Sequence, residues 1–118
     1  MSFLIGDMTI RTLSEAMTGL SMRSRTISDN LANIDTPGFL AGKVDFESVL
    51  KKAYAAGTDP TGMDIATSRS LEPTRTNGSN VNLDEETLSH IDTTMRYQLT
   101  LRALDGKYGL IRDAIKGA

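Results

Sequence analysis

Few side chains in this 118-residue sequence are capable of acid–base or metal chemistry. Asp84, Glu85 and Glu86 form the densest carboxylate group, but consecutive helical residues point about 100° apart and cannot converge on one ion. The single histidine, His90, has no second imidazole beside it, and the absence of cysteine removes thiolate nucleophiles and zinc–thiolate sites. We therefore predict no enzymatic activity, no cofactor and no metal site, and assign the carboxylates to a helix start.

The segment Asp35-Thr36-Pro37-Gly38 has the form of the DxxG switch of GTPases. A GTPase also needs a phosphate-binding GxxxxGK[ST] loop, which the sequence lacks. A helix stop explains all four residues, because Pro37 disfavours helical backbone at the residue before it and has no N–H to donate. Gly38 can then adopt positive φ. We interpret the segment as a turn.

Two long helices must position whatever site exists. Residues 8–34 are predicted to form the first, because two rows repeat every seven residues like the a and d positions of a heptad. One row holds Ile10, Met17, Ser24 and Leu31, and the other holds Leu13, Leu20, Ile27 and Ile34. The opposite face is predicted to be solvated and contains Arg11, Glu15, Arg23, Arg25 and Asp29. Within the helix, only Gly19 weakens the pattern.

Residues 82–116 are predicted to form the second long helix. Asn82 is the expected N-cap, with Glu85 three residues later as in a capping box. Its apolar row slips phase near Gln98, as in a stammer. The row contains Leu88, Ile91, Met95, Leu101, Leu104, Tyr108, Ile111 and Ile115.

Residues 35–81 are predicted to be a turn and connector, with a possible short helix at 45–56. A loop as long as 57–81 is unusual in a compact domain. We expect it to be mobile in the free chain and to become extended, or to pair as strands, against a neighbour. Asn77-Gly78 is interpreted as a turn rather than a glycosylation site.

The predicted fold is a single all-α domain, residues 1–118, in which the terminal helices form an antiparallel coiled coil around an extended or partly disordered middle. Aromatic residues are only 5% and tryptophan is absent, so the core is thin. Ordering costs about 1–2 kcal/mol per residue, which leaves two helices marginal alone. Neighbouring copies can supply the missing burial, and head-to-tail contacts that do not close build a tube or filament.

The charge pattern excludes several classes of protein. The net charge is −2 with no basic patch, which argues against nucleic-acid binding. No apolar run approaches the roughly 18 residues of a membrane span. The first seven residues lack the basic start of a secretory signal, so we expect no cleaved signal peptide.

Several segments resemble bacterial flagellar rod and hook proteins. Asp29-Asn30-Leu31-Ala32-Asn33-Ile34-Asp35-Thr36-Pro37-Gly38-Phe39 is similar to their N-terminal signature, whose turn residues would be Asn30, Asn33, Thr36, Pro37, Gly38 and Phe39. The proximal-rod type is further resembled by Lys43-Val44-Asp45-Phe46, Asn80-Val81-Asn82-Leu83-Asp84-Glu85-Glu86, Met95-Arg96-Tyr97-Gln98 and the ending Leu110-Ile111-Arg112-Asp113-Ala114-Ile115-Lys116-Gly117. One departure is Phe39-Leu40-Ala41-Gly42, where a Tyr-Lys-Ala-Arg type of run is common.

The resemblance implies a structural subunit of the proximal rod, part of a helical tube that transmits motor torque. It implies unfolded export by the flagellar type III apparatus without a cleaved signal, and assembly in the periplasm. The implied partners are copies of itself, other rod proteins, and the membrane-ring and export-gate proteins at the base. It implies no cofactor, nucleic acid or small-molecule substrate.

Two questions stay open at this point. Asn30 and Asn33 are predicted to hydrogen-bond backbone groups of the turn, although simple helix capping by Asn33 is an equal alternative. The alternative function is a soluble helical adaptor, or a chaperone-like binding module, that never polymerises.

Overall fold

The computed structural model describes residues 2–117, with side chains from residue 8 onward; the first seven residues, on which the signal-peptide expectation rests, have no described side chains. The elements are α1 (Ser2–Ala32), β1 (Gly42–Val44), α2 (Glu47–Ala56), β2 (Thr67–Arg69) and α3 (Leu83–Gly117). The chain is therefore mostly helical, as predicted, with a small strand pair that the sequence did not predict. The molecule is elongated, 65 × 26 × 16 Å.

The long helices end where local backbone chemistry requires it. After α1 the chain turns through Gly38, which has a φ of +74°. Asn82 precedes α3, and its Oδ1 accepts from the amides of Asp84 at 3.0 Å and Glu85 at 3.3 Å. This is the predicted N-cap, which satisfies amides that have no partner inside the helix. Gly57, at a φ of +70°, ends α2 in the left-handed conformation.

The middle of the chain is bonded to α1 of the same molecule. Strands β1 and β2 pair antiparallel, with Gly42 opposite Arg69 and Val44 opposite Thr67. Further along, Asp59 pairs with Arg11, and the Gly62 amide donates to the Glu15 carboxylate at 3.3 Å. The described strands thus pair within the chain. The α1 face predicted to be solvated is, in part, the docking face of the connector.

The apolar core lies between α1 and the middle segment rather than between the long helices. It consists of Leu20, Val44, Phe46, Leu50 and Ile65, with Ala16, Met22 and Met63 packed against it. Gly19 makes this packing possible, because a Cβ there would stand 2.3 Å from Phe46 Cγ. The residue that weakens the heptad pattern is therefore the one that admits the ring.

Candidate assembly surface

Helix α1 turns its predicted apolar rows inward. Leu20 and Ile27 are buried, at 2% and 3% exposure. The other predicted members are half-buried: Ile10, Leu13, Met17, Leu31 and Ile34. Much of this surface is already used, since Leu20 belongs to the core formed with the middle segment.

Helix α3 presents its predicted apolar row to solvent in the single chain. Only Leu104 is half-buried. The rest are between 43% and 72% exposed: Leu88, Ile91, Met95, Leu101, Tyr108, Ile111 and Ile115. Leu99 and Leu110 add further apolar surface, at 70% and 65% exposure. Because α3 is one continuous helix, the members of the row before Gln98 and those after it lie on different sides of the helix. The helix therefore exposes two apolar patches, and exposed apolar patches mark interaction sites in folded proteins.

The α3 face that meets α1 is mostly polar. Its buried and half-buried positions follow helical spacings of three, four and seven residues: Glu86, Ser89, Thr93, Thr100, Leu104 and Lys107. Glu86 and Ser89 line a cavity with Ile27, whereas Thr100 lines one with Ala16, so the helices run antiparallel. A coiled coil needs apolar rows on both of the facing helices. The α3 face that meets α1 is mostly polar, so the single chain does not confirm a coiled coil.

The turn after α1 is held by an asparagine that bridges from the helix to β1. The Asn30 side chain is 1% exposed. Its Oδ1 accepts from the Gly42 amide at 2.8 Å, and its Nδ2 donates to the Gly42 carbonyl at 3.0 Å. The backbone amide and carbonyl of the buried Gly42 are therefore both hydrogen-bonded, as buried polar groups generally are. Asn30 therefore fixes the position of β1 against α1.

A second asparagine, Asn80, bonds the residue that precedes β1. Asn80 Oδ1 accepts from the Ala41 amide at 2.7 Å. Its Nδ2 donates to the carbonyls of Ser70 and Glu72, each at 3.2 Å. We call Asn30 and Asn80 the asparagine clamp, because they bind consecutive residues, Ala41 and Gly42. The clamp connects the end of α1, both strands and the segment that enters α3.

The other predicted turn residues make local contacts. Asn33 Nδ2 donates to the Asp29 carbonyl at 2.8 Å, and Thr36 Oγ1 donates to Asn33 Oδ1 at 3.0 Å. Thr36, Pro37 and Gly38 are exposed. Phe39 is half-buried, and the Arg69 guanidinium lies 5.4 Å from its ring centroid. Asn30 thus bonds the backbone of β1, whereas the side-chain bonds of Asn33 stay within residues 29–36.

Arg23 joins α1 to the start of α2. Its guanidinium lies 4.7 Å from the Phe46 ring centroid, donates to the Val44 carbonyl at 2.6 Å and pairs with Glu47. Partial burial raises the pKa of the Glu47 carboxyl, but the hydrogen bond and charge of Arg23 outweigh burial and lower that pKa below its usual value. A residue predicted to be solvated is thus a central contact of the middle segment.

Three residues of this region carried no sequence signal for their roles. Glu86, at 3% exposure, and Thr93, at 2%, face α1 although α3 begins in an acidic turn and continues in a polar run. Asn80 lies in an irregular segment where periodicity gives no information. The one pattern that could have indicated a second, polar face on α3 is the helical spacing of the polar residues at 86, 89, 93 and 100.

The described residues contain no group of His, Cys, Asp and Glu suited to hold a metal ion. Among them there is also no helix long and apolar enough to cross a membrane. What the arrangement offers is a clamped turn and an uncovered apolar helix face.

Comparison with known proteins assigns this arrangement to a family. A family model described as flagella basal body rod protein matches residues 10–39, which span the apolar rows of α1 and the clamped turn. The flagellar basal body rod protein FlgB of Escherichia coli K12 is 31% identical, covering 86% of this chain and 88% of that protein. FlgB of Borreliella burgdorferi is 35% identical over 68% of this chain and 75% of its own length, and FlgB of Bacillus subtilis 27% identical over 92% and 94%.

Together, the terminal helices and the matched turn define a structural subunit of the rod of the bacterial flagellar basal body. More specifically, the chain belongs to the family of FlgB rod proteins.

Proposed function

We propose that this chain is a proximal-rod subunit whose exposed α3 face packs against neighbouring subunits in a helical tube. The observation that carries the proposal is the apolar row of α3, which remains 43–72% exposed outside Leu104. Burying apolar surface contributes about 25 cal/mol per Å², so an uncovered row of this length is a strong drive for association. The same row would form the coiled-coil contacts that the single chain lacks.

The division of labour between the helices supports this proposal. Helix α1 packs Leu20, Ala16 and Met22 against the chain's own middle segment, which fixes the position of that segment. Helix α3 keeps its polar side on α1 and its apolar side free. Contacts between unlike surfaces of successive copies need not close, and they then build a helical tube. Such a tube resists twisting and passes torque along its axis.

Membership of the family supports a proposed setting for the tube. The subunit is exported by the flagellar type III apparatus and assembles in the periplasm, between the membrane ring and export gate below and further rod proteins above. Its partners are copies of itself and these neighbouring proteins. No enzymatic step belongs to this role.

A deletion strain tests the proposal. Removing the gene is expected to abolish swimming, and the wild-type chain supplied from a plasmid restores it and is recovered in purified basal bodies. Normal swimming of the deletion strain contradicts the proposal. A discrete one-to-one complex with a partner, with no chain in basal bodies, supports the soluble adaptor instead.

A further inference from the structure

A single leucine on an ordered loop stands out from the rest of the surface. Leu71 is 96% exposed, the highest value among the large apolar side chains that the structure describes. It follows β2 and belongs to none of the helices, so the exposed row of α3 does not account for it. Leucine normally loses this exposure on folding, because removing its apolar surface from water is favourable.

The backbone on both sides of Leu71 is held in place. Asn80 Nδ2 donates to the carbonyl of Ser70 before it and to that of Glu72 after it, each at 3.2 Å. The Glu72 amide donates to Ser70 Oγ at 3.2 Å, and the Ser70 amide to the Ala41 carbonyl at 2.8 Å. Pro73 restricts the backbone of Glu72 further. Leu71 is thus presented by the asparagine clamp in one defined position.

An apolar cavity opens elsewhere on the same molecule. It has a volume of about 270 Å³ and lies where α1, α2 and α3 meet. Its lining consists of Ala16, Leu20, Phe46, Glu47, Leu50, Arg96, Leu99 and Thr100. An apolar cavity of about 150 Å³ is large enough to bind benzene, so a leucine side chain fits this one.

Leu71 cannot fill the cavity of its own chain. The clamp holds Leu71 near Asn30, whereas the cavity begins at Leu20, about 15 Å away along α1. The projecting leucine and the cavity are therefore different surfaces of one molecule. When such surfaces meet between copies, the contact is head-to-tail and can propagate.

We propose that Leu71 of one copy inserts into the cavity between α1, α2 and α3 of a second copy. Resting on the proposed role as a rod subunit, this adds a second contact to the α3 face. The two contacts are continuous, because Leu99 lines the cavity and is itself 70% exposed beside the apolar row. Insertion would chiefly cover Leu99, which is exposed, beside the buried core residues Leu20 and Phe46.

Engineered cysteines test the proposal without background, because the chain has no cysteine of its own. Two differently tagged copies, one Leu71→Cys and the other Thr100→Cys, are produced together in the deletion strain, and basal bodies are oxidised and probed for a dimer carrying both tags. The control pairs Leu71→Cys with Thr87→Cys, an exposed threonine about 20 Å along the same helix. A disulfide requires Cα atoms within about 7 Å, so at least a tenfold excess over the control is expected.

A swimming assay separates this proposal from the proposed function. Leu71→Ser is expected to lose swimming, whereas Leu71→Met keeps it, and neither changes the folding of the free chain. A Leu71→Ser strain that swims like wild type overturns the insertion while the rod role stands. Lost swimming without the excess dimer places Leu71 on a different protein and also overturns it. If the deletion strain swims normally, the proposed function itself fails.

Discussion

At the scale of single residues, small and polar side chains decide how this chain is arranged. Gly19 admits the Phe46 ring, and Asn30 satisfies both backbone groups of Gly42. The sequence identified the turn that contains Asn30 because Pro37 and Gly38 have local, strong backbone preferences. It did not identify Asn80 or the contact of Gly19, because those depend on residues far away along the chain.

Adding a methyl group at Gly19 should destabilise the free chain. Gly19→Ala places a Cβ 2.3 Å from Phe46 Cγ and 2.8 Å from its Cβ, so the ring cannot yield by rotating alone. We expect a loss of about 1–3 kcal/mol in the free energy of unfolding, measured in urea. Gly106→Ala is the matched control, because its Cβ meets open space and it should gain up to about 1 kcal/mol. Equal effects at both sites would contradict the packing described.

Replacing Asn30 should lower the free energy of unfolding more than replacing Asn33. Asn30→Ala leaves the buried amide and carbonyl of Gly42 without their partner, at roughly 1–3 kcal/mol for each group. Asn33→Ala removes bonds at an exposed helix end and should cost less than about 1 kcal/mol. Urea unfolding of the two variants distinguishes them. A larger loss for Asn33→Ala would show that the clamp is not the main support of β1.

At the scale of elements, the apolar periodicity predicted both long helices, and local signals predicted their caps. It could not assign partners to their faces. Periodicity shows which side of a helix is apolar, but not whether that side meets the same chain or another. Here the connector occupies α1, so α3 packs on α1 through Glu86, Ser89 and Thr93. The short strands are three residues each, too brief to show alternation.

The contact between Arg23 and Glu47 should make the docking of α2 dependent on pH. The pKa of Glu47 is lower in the folded chain than its ordinary value, so the stability that the pair contributes is complete above that ordinary value and is lost as the pH falls. Glu47→Gln should reduce stability at pH 7 by roughly 0.2–1 kcal/mol, as for a partly exposed pair. The difference from wild type should decrease as the pH falls below the ordinary pKa of a glutamate.

Urea unfolding at pH 7 and pH 3 measures this effect. Glu72→Gln serves as the control, because the Glu72 carboxylate has no ion pair among the described residues, and it should behave like wild type at both values. A pH-independent loss for Glu47→Gln would assign its role to packing rather than to charge.

At the scale of the whole molecule, the chain is a folded subunit that leaves apolar side chains exposed on α3. Leu20 and Ile27 of α1 are buried, whereas α3 exposes apolar side chains along most of its length. Assembly is therefore expected to bury the apolar side chains of α3 that stay exposed in the folded single chain. The thin core and the cost of ordering two helices predicted assembly from the sequence, but only the structure shows that α1 is more covered than α3.

Charges placed on the two sides of α3 should have different effects on the free chain. Leu104→Asp puts a charge at a half-buried position facing α1 and should lower both the stability of the free chain and its incorporation into rods. Ile115→Asp, at a position that is 72% exposed, should leave stability within about 0.5 kcal/mol. Urea unfolding of the free proteins gives the comparison. A rod built normally from Leu104→Asp would show that this position is not part of the packing surface.

The most direct test is the amount of chain recovered in purified basal bodies when the outward face of α3 is changed. Met95 is 64% exposed in the middle of the apolar row. Met95→Leu conserves its volume and apolar character and should be incorporated at the wild-type level. Met95→Glu should fold normally yet be absent from basal bodies, because assembly would bury an unpaired charge. Wild-type incorporation of Met95→Glu would contradict the claim that this face joins the subunits.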